Sequence, residues 1–338
     1  MKTRDRILQW LGREDGLSGG DLCRRLGLTR QAVHKHLRQM IAEGVIEKRG
    51  STKAAEYQRA GHRPSTTRTF FRKAYMLRGL EEDRVLEEVA LYLRLKHLLS
   101  SPAWALWSYA FTEMLNNAIE HSGSRQGLVE AVVDDYEARF VVRDQGIGAF
   151  HSIASHFHLR DENMAAAELL KGKATTMASR HSGEGIFFTS KAADLFTLRS
   201  HHVELLVDRR KNDTFLSSRR FLRGTEVRFV ISRRSRRRLQ DLFDAFAPAD
   251  YDYKFQRTRL RVHLAQPDYV SRSEARRLVN RLDRFREVVL DFKGVRTIGQ
   301  SFADEVFRVF ARRHPGLELQ VENAVGPVAA MIRHVVDK

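Results

Sequence analysis

Several residues in this chain have types and spacings that could do chemistry. In FTEMLNNAIEHS, Glu113 and Asn117 stand four apart, so a helix would carry both on one face. About thirty residues later RDQGIGAF supplies Asp144, Gly146 and Gly148 directly after a strand. SGEGIFFTS then supplies Gly183 and Gly185, and Gly224-Thr225 begins a late strand. A carboxylate such as Glu113 can take the proton of an attacking water or hydroxyl group. Taken singly, a glycine pair is an ordinary turn and a Glu–Asn pair is a solvated helix face. Ser301, with Asp304 three residues on, is a plain helix N-terminal capping arrangement. His97, five residues before Pro102, imitates a phosphoacceptor histidine. About a dozen residues separate it from the Glu113 helix, too few for a dimerisation hairpin between them. His156/His158 and His201/His202 read as surface or strand histidines rather than metal ligands.

The elements that must position these residues follow from periodicity. Ile7, Leu8 and Leu11 recur at helical spacing. Ser18 and Asp21 open a second helix that Gly27 stops, and Thr29 opens a third that buries Ala32 or Val33, Leu37, Met40 and Ile41 and ends at Gly44. VIEKRGSTKAAEYQ reads as two short strands around a Gly-Ser turn. Pro64 to Thr69 reads as a linker. Val85, Leu86, Val89, Leu93 and Lys96 mark an amphipathic helix, either a coupling element or a helix lying against the next domain. Helices and strands alternate from Pro102 to about Ile231. The basic run RRSRRR at 233–238 reads as a solvated face or linker. The last ninety residues alternate strand and helix, as a small α/β domain does.

The 338 residues carry 59 Lys and Arg against 42 Asp and Glu, a net charge of +17. So basic a chain favours polyanionic partners. Residues 1–63 alone hold four lysines and ten arginines against three aspartates and four glutamates. One cysteine, Cys23, excludes an internal disulfide or a multi-thiolate zinc site. Without a long apolar stretch or a signal-peptide core, a soluble, cytoplasmic protein with no membrane partner is expected.

DLCRRLGLTRQAVHKHLRQMIAEGVIEK resembles a winged helix-turn-helix of the bacterial regulator kind, spanning residues 1–63. That arrangement puts the second helix of the motif in the DNA major groove. With its apolar face committed to the core, Arg30, Gln31, His34, Lys35 and Arg38 point outward toward base edges and phosphates. Arg49 and Lys53 of the hairpin would sit beside the backbone or minor groove.

Taken together and in order, the central segments resemble the GHKL superfamily of ATP-binding domains over residues 102–232, with 64–101 as linker and amphipathic helix. The resemblance implies ATP and Mg²⁺ as cofactors. Asn117 would ligate the metal, Asp144 would accept the adenine amino group's hydrogen bond with Thr225 in support, and Gly146 and Gly148 would turn beside the base. Gly183 and Gly185 would present backbone N–H groups to phosphate, where a β-carbon would obstruct approach. Residues 151–182 would form a lid, and Lys171, Lys173, Arg180 and Lys191 could each reach the γ-phosphate. Glu113 stands where histidine kinases often have an amide. A carboxylate there favours transfer to water or to Ser/Thr over transfer to His.

VVLDFKGVRTIGQSFADEVF resembles the STAS-type fold of anti-sigma-factor antagonists, here over 250–338, with Ser301 at the position phosphorylated in that family. Gly299-Gln300-Ser301-Phe302 departs from the family's Asp-Ser-Ser-Gly. The expected fold is thus multidomain α+β: a winged helix-turn-helix, a GHKL α/β sandwich and a small STAS-like α/β domain. The expected function is a DNA-binding regulator controlled by Mg·ATP, with DNA, a protein partner of the STAS-like domain and a second copy as candidate partners. An anti-sigma-type serine kinase is the alternative, and an ATP-driven dimeric machine like MutL a third reading.

Overall fold

The computed structural model describes residues 3–12, 17–49, 55–60, 69–172, 184–247, 255–262 and 268–337. They fall into two compact units, Met1–Thr69 with Asp134–Tyr136, and Phe70–Val133 with Glu137–Lys338.

The first unit runs α1 (Thr3–Leu11), β1 (Leu17–Ser18), α2 (Gly19–Leu26), α3 (Arg30–Ala42), β2 (Ile46–Arg49) and β3 (Glu56–Arg59). Local chemistry sets the boundaries. The Ser18 hydroxyl accepts from the Asp21 N–H at 3.1 Å, and the Asp21 carboxylate accepts from the Ser18 N–H at 3.2 Å, a reciprocal cap on α2. Hydrogen bonds from Ser18 and Arg24 hold the Asp21 carboxyl below its ordinary range. Gly27 ends the helix at φ +66°, a conformation that a β-carbon disfavours. Thr29 then caps α3 through the Ala32 N–H. Val33, Leu37 and Met40 join Ile7, Leu11, Leu22 and Tyr57 in the core, whereas Ile41 stays exposed. The strands form an antiparallel sheet in the order β1-β3-β2.

The second unit begins with β4 (Thr69–Met76), α4 (Glu82–Tyr92), α5 (Leu95–Leu98), α6 (Ser101–His121), β5 (Gln126–Val133) and β6 (Glu137–Asp144). It continues through α7 (Ala149–His156), α8 (Glu162–Lys171), α9 (Gly185–Ala192), β7 (Leu195–Asp208), β8 (Asp213–Ser232) and α10 (Leu239–Asp244). Five strands form one sheet in the order β4-β5-β6-β8-β7, in which β5/β6, β6/β8 and β8/β7 are antiparallel. Burial alternates strictly along β6, as it does when one face of a sheet is covered. The cover is α6: Trp107 and Phe111 stack at 5.1 Å and both meet Phe140 of β6 edge-on, while Phe140 stacks on Phe229 of β8. Ser100 caps α6 through the Ala103 N–H and donates to the Ser235 carbonyl, so the His97–Pro102 segment joins the end of α5 to the start of α6.

The boundary expected at residue 102 lies inside this unit. β4 is an edge strand of the central sheet, where Arg72 pairs with Glu130 of β5. Helix α4 lies against the sheet domain through Val85, Val89 and Ala90.

The remaining elements are β9 (Arg257–Arg261), β10 (Asp268–Tyr269), α11 (Arg272–Val279), β11 (Glu287–Asp291), β12 (Thr297–Ile298) and α12 (Gln300–Ala303). A π-helical stretch (Asp304–Phe310), α13 (Ala311–Arg313), β13 (Glu318–Glu322) and α14 (Gly326–Val336) complete the chain. β13, β11 and β9 form a parallel sheet whose central strand is buried at every position. Phe187 and Phe188 of α9 enter the core of this C-terminal layer beside Phe255 and Leu260. A shared core therefore joins stretches expected as separate domains. Among the described residues no helix is long and apolar enough to cross a membrane.

Candidate functional site

In the first unit Arg30, Gln31, Lys35 and Arg38 are exposed along α3, as the sequence predicts. His34 departs from that expectation. Its half-buried ring meets Tyr57 of β3 edge-on at 6.4 Å, so it packs between α3 and the hairpin instead of pointing outward. Burial pushes the Tyr57 phenol up, while the charges of Arg30 and Arg38 pull it the other way, which places both guanidinium groups within electrostatic reach of β3. Arg49, whose backbone belongs to β2, and Lys53 have side chains outside the described residues.

In the second unit the separated central segments meet along α6. Gly185 opens α9 against Glu113: a β-carbon built at 185 would collide with the Glu113 carboxylate. Near the other end, Ser122 presents its carbonyl to the Gly146 turn, accepting from the Ile147 N–H at 2.9 Å, and a β-carbon at 146 would strike that carbonyl. Asn117 lies between these contacts, and its Nδ2 is buried with no hydrogen-bond partner among the described residues. The Tyr109 phenol, one turn before Glu113, is pushed well up by burial and by the charges of Glu113 and Glu184.

Asp144 ends β6 and is buried. Its Oδ1 accepts from the N–H groups of Gly146 at 2.8 Å and Thr225 at 3.3 Å. Burial nevertheless lifts the carboxyl above its ordinary range. The Thr225 hydroxyl accepts from the Ala149 N–H at 2.9 Å, so Thr225 ties the Asp144 strand to the start of α7. Gly224, at φ +78°, lies against the Asp144 carbonyl and carboxylate. The neighbours Ser122 and Glu113 thus require the glycines at 146 and 185 before any ligand is considered.

Gly148 does something else again. Its φ is +84°, and a β-carbon there would sit 2.5 Å from Ser200 Oγ and 2.8 Å from His201 Nε2. His201, itself at φ +48°, lies where the β7–β8 register shifts, and such irregularities re-aim side chains. Its Nδ1 is 2.7 Å from Glu162, and His151 approaches the same carboxylate at 3.7 Å. Two imidazoles and a carboxylate within 4.8 Å of one another are donors a transition metal accepts. His201 is a strand histidine, as the sequence predicts, and spacing alone does not reveal its neighbours His151 and Glu162, which come from α7 and α8.

The lid expectation is corrected over residues 151–171. Residues 151–171 are largely helical, in α7 and α8, and Ala165, Ala166 and Leu169 are buried core. Lys171 donates to Glu168 at 2.5 Å and to the Asn280 carbonyl at 3.0 Å, so it is anchored in the C-terminal layer and does not reach toward a phosphate. Gly183, Lys173 and Arg180 lie outside the described residues. Lys191 stands six residues along α9 from Gly185, about 9 Å of helical rise, and faces a different cavity.

Ser301 is exposed inside the first turn of α12. The capping expectation fails: Gly299 is the N-cap, and a β-carbon there would press on the Val270 carbonyl. Asp304 is held instead by Arg308 at 2.5 Å and Arg272 at 3.4 Å, and these cations keep its carboxyl below its ordinary range.

Comparison with known families agrees with the two ends of the chain. No curated protein matches the sequence. Residues 274–329, which run from within α11 to the first turn of α14, match a STAS-like domain of unknown function, DUF4325. Residues 6–55, from α1 to the β2–β3 hairpin, match the MarR family, so the first unit is similar to a MarR-family winged-helix domain.

Proposed function

We propose that the chain is a DNA-binding transcription regulator whose central sheet domain binds Mg·ATP, and that nucleotide occupancy changes its affinity for DNA. The MarR-family match and the exposed cations of α3 support the DNA reading. The observation that carries the nucleotide reading is the meeting of three segments, around Glu113, Asp144 and Gly185, along the single helix α6. Their order and spacing resemble those of GHKL domains.

In this reading Asp144, fixed by Gly146 and Thr225, accepts from the adenine amino group. Asn117 would hold the metal through its amide oxygen, and its buried Nδ2, unpartnered among the described residues, would donate to an acceptor such as a phosphate oxygen. Mg²⁺ would supply charge neutralisation of the phosphates beside Glu113 and Glu184, where bare phosphate would be repelled. Glu113 is the group placed to take a proton from water or a hydroxyl. The dimeric arrangement common among winged-helix regulators suits two half-sites on DNA.

Fluorescence anisotropy with labelled genomic operator fragments, with and without Mg·ATP, tests the reading. DNA affinity should move at least fivefold with nucleotide in the wild-type chain and stay fixed in Asp144→Asn. Affinity unmoved by nucleotide would sink the coupling. A serine kinase is the second reading, favoured by the exposure of Ser301 on a helix that it does not cap.

A further inference from the structure

A cavity of about 370 Å³ lies within the second unit, between the C-terminal end of α9, the β7–β8 turn, α10 and β9. Six cationic side chains line it, Lys191, Arg209, Arg237, Arg238, Arg259 and Arg261, against the three carboxylates of Asp208, Asp213 and Asp241. Most of the cations are already matched. Arg237 donates to Asp194 at 2.6 Å, Arg238 pairs with Asp241, Arg261 donates to Asp213 at 2.7 Å, and Arg259 donates to Asp291 at 3.1 Å and also pairs with Glu322.

Lys191 and Arg209 are different. Among the described residues neither has a carboxylate partner, and the Lys191 ammonium has only the face of Phe187, 5.2 Å from the ring centre. Burial, together with the charges of Arg261 and Arg259, pushes Lys191 down to about 8. A half-buried lysine beside two arginines is uncompensated unless an anion joins it. The cavity also has an apolar wall, made by Leu106, Leu170, Leu242 and Phe246. Its size falls within the range of small-ligand sites.

We propose that this cavity binds a small phosphate-bearing molecule, with its phosphate between Lys191 and Arg209 and its apolar body against the leucine wall. A phosphate has enough oxygens to satisfy an ammonium and a guanidinium at once. The site is separate from the proposed nucleotide site, because Lys191 lies at the opposite end of α9 from Gly185. Its walls come from the central sheet domain and from β9 of the C-terminal layer, so its ligand would fasten the two together.

The test uses the full chain and inorganic phosphate as probe, titrated calorimetrically at constant ionic strength against chloride. Wild-type protein and Asp144→Asn should bind phosphate equally, and Lys191→Met and Arg209→Gln should each bind at least tenfold more weakly. Equal affinity in all four proteins, or heat no greater than that of chloride, overturns the proposal. Succinate binding as tightly as phosphate overturns the phosphate assignment. An independent readout needs no folded variant at the site: ¹³C-methylated lysines in the wild-type chain should show one signal titrating near pH 8 that moves upward when phosphate is added. A midpoint that phosphate leaves in place would refute the pairing of Lys191 with phosphate.

Discussion

Gly185 and Glu113 compete for one volume: the Glu113 carboxylate occupies the place where a β-carbon on residue 185 would stand. The contact joins α6 to the first turn of α9 and explains why a glycine opens that helix. Gly185→Ala should cost about 1–3 kcal/mol, the usual range for overpacking. Adding Glu113→Ala should recover most of that loss, and urea denaturation of both single variants and the double variant would measure the coupling.

Asp144 is a buried acid whose carboxyl is lifted above its ordinary value of 3.8. Over the window between the unfolded and native values the folded chain holds the extra proton. Stability from this group is therefore greatest below the unfolded value and falls as pH rises through the native one. Asp144→Asn, which cannot ionise, should show a shallower fall in stability over that interval in pH-dependent chemical denaturation. The same variant should bind ATP at least tenfold more weakly, since one acceptor oxygen becomes a donor.

The exposed cations of α3 and the inward-turned His34 separate two kinds of effect. Arg30→Ala, Lys35→Ala and Arg38→Ala should each reduce the salt dependence of DNA binding, by about one unit of log–log slope for every phosphate no longer neutralised. His34→Ala should leave that slope unchanged. It should instead destabilise the winged-helix unit by about 0.5–1.5 kcal/mol, the scale of an aromatic pair, as thermal melting would register.

Ser301 is exposed and has no capping duty to lose. Ser301→Ala should accordingly change stability by less than about 0.5 kcal/mol. Under the serine-kinase reading, intact mass spectrometry after incubation with Mg·ATP should show one added phosphate in the wild-type chain and none in Ser301→Ala. An unchanged wild-type mass would leave the ATP-gated regulator as the working mechanism.

Local features are legible in the sequence. The Ser18–Asp21 cap, the Gly27 stop and the buried stripe of α3 depend on neighbours within four residues, so spacing alone reveals them. The same holds for Glu113 and Asn117 on one helix. Direction and pairing across long separations are not legible. His34 packs on Tyr57 because Tyr57 arrives from β3, and β4 falls in the stretch read as linker and amphipathic helix because its partner β5 is some fifty residues away. The basic run 233–238 divides for the same reason: Arg237 is claimed by Asp194, while Arg238 stays at the surface with Asp241. Lys191 is one of four candidate γ-phosphate ligands in the sequence, yet Arg259 and Arg261 from β9 set its surroundings in the fold.

The anchoring of Lys171 bears on how such a chain can be assembled over evolutionary time. Its ammonium is shared between Glu168 and backbone carbonyls near residue 280, its own carbonyl accepts from the Thr258 hydroxyl, and Gly172 packs against Phe255. A recombination event that exchanged only the C-terminal layer would leave the Lys171–Glu168 pair without its backbone carbonyl partners and open one side of the Phe187–Phe188 cluster. A chimera that replaced the C-terminal layer while keeping α8 and α9 should therefore be less stable than the intact second unit.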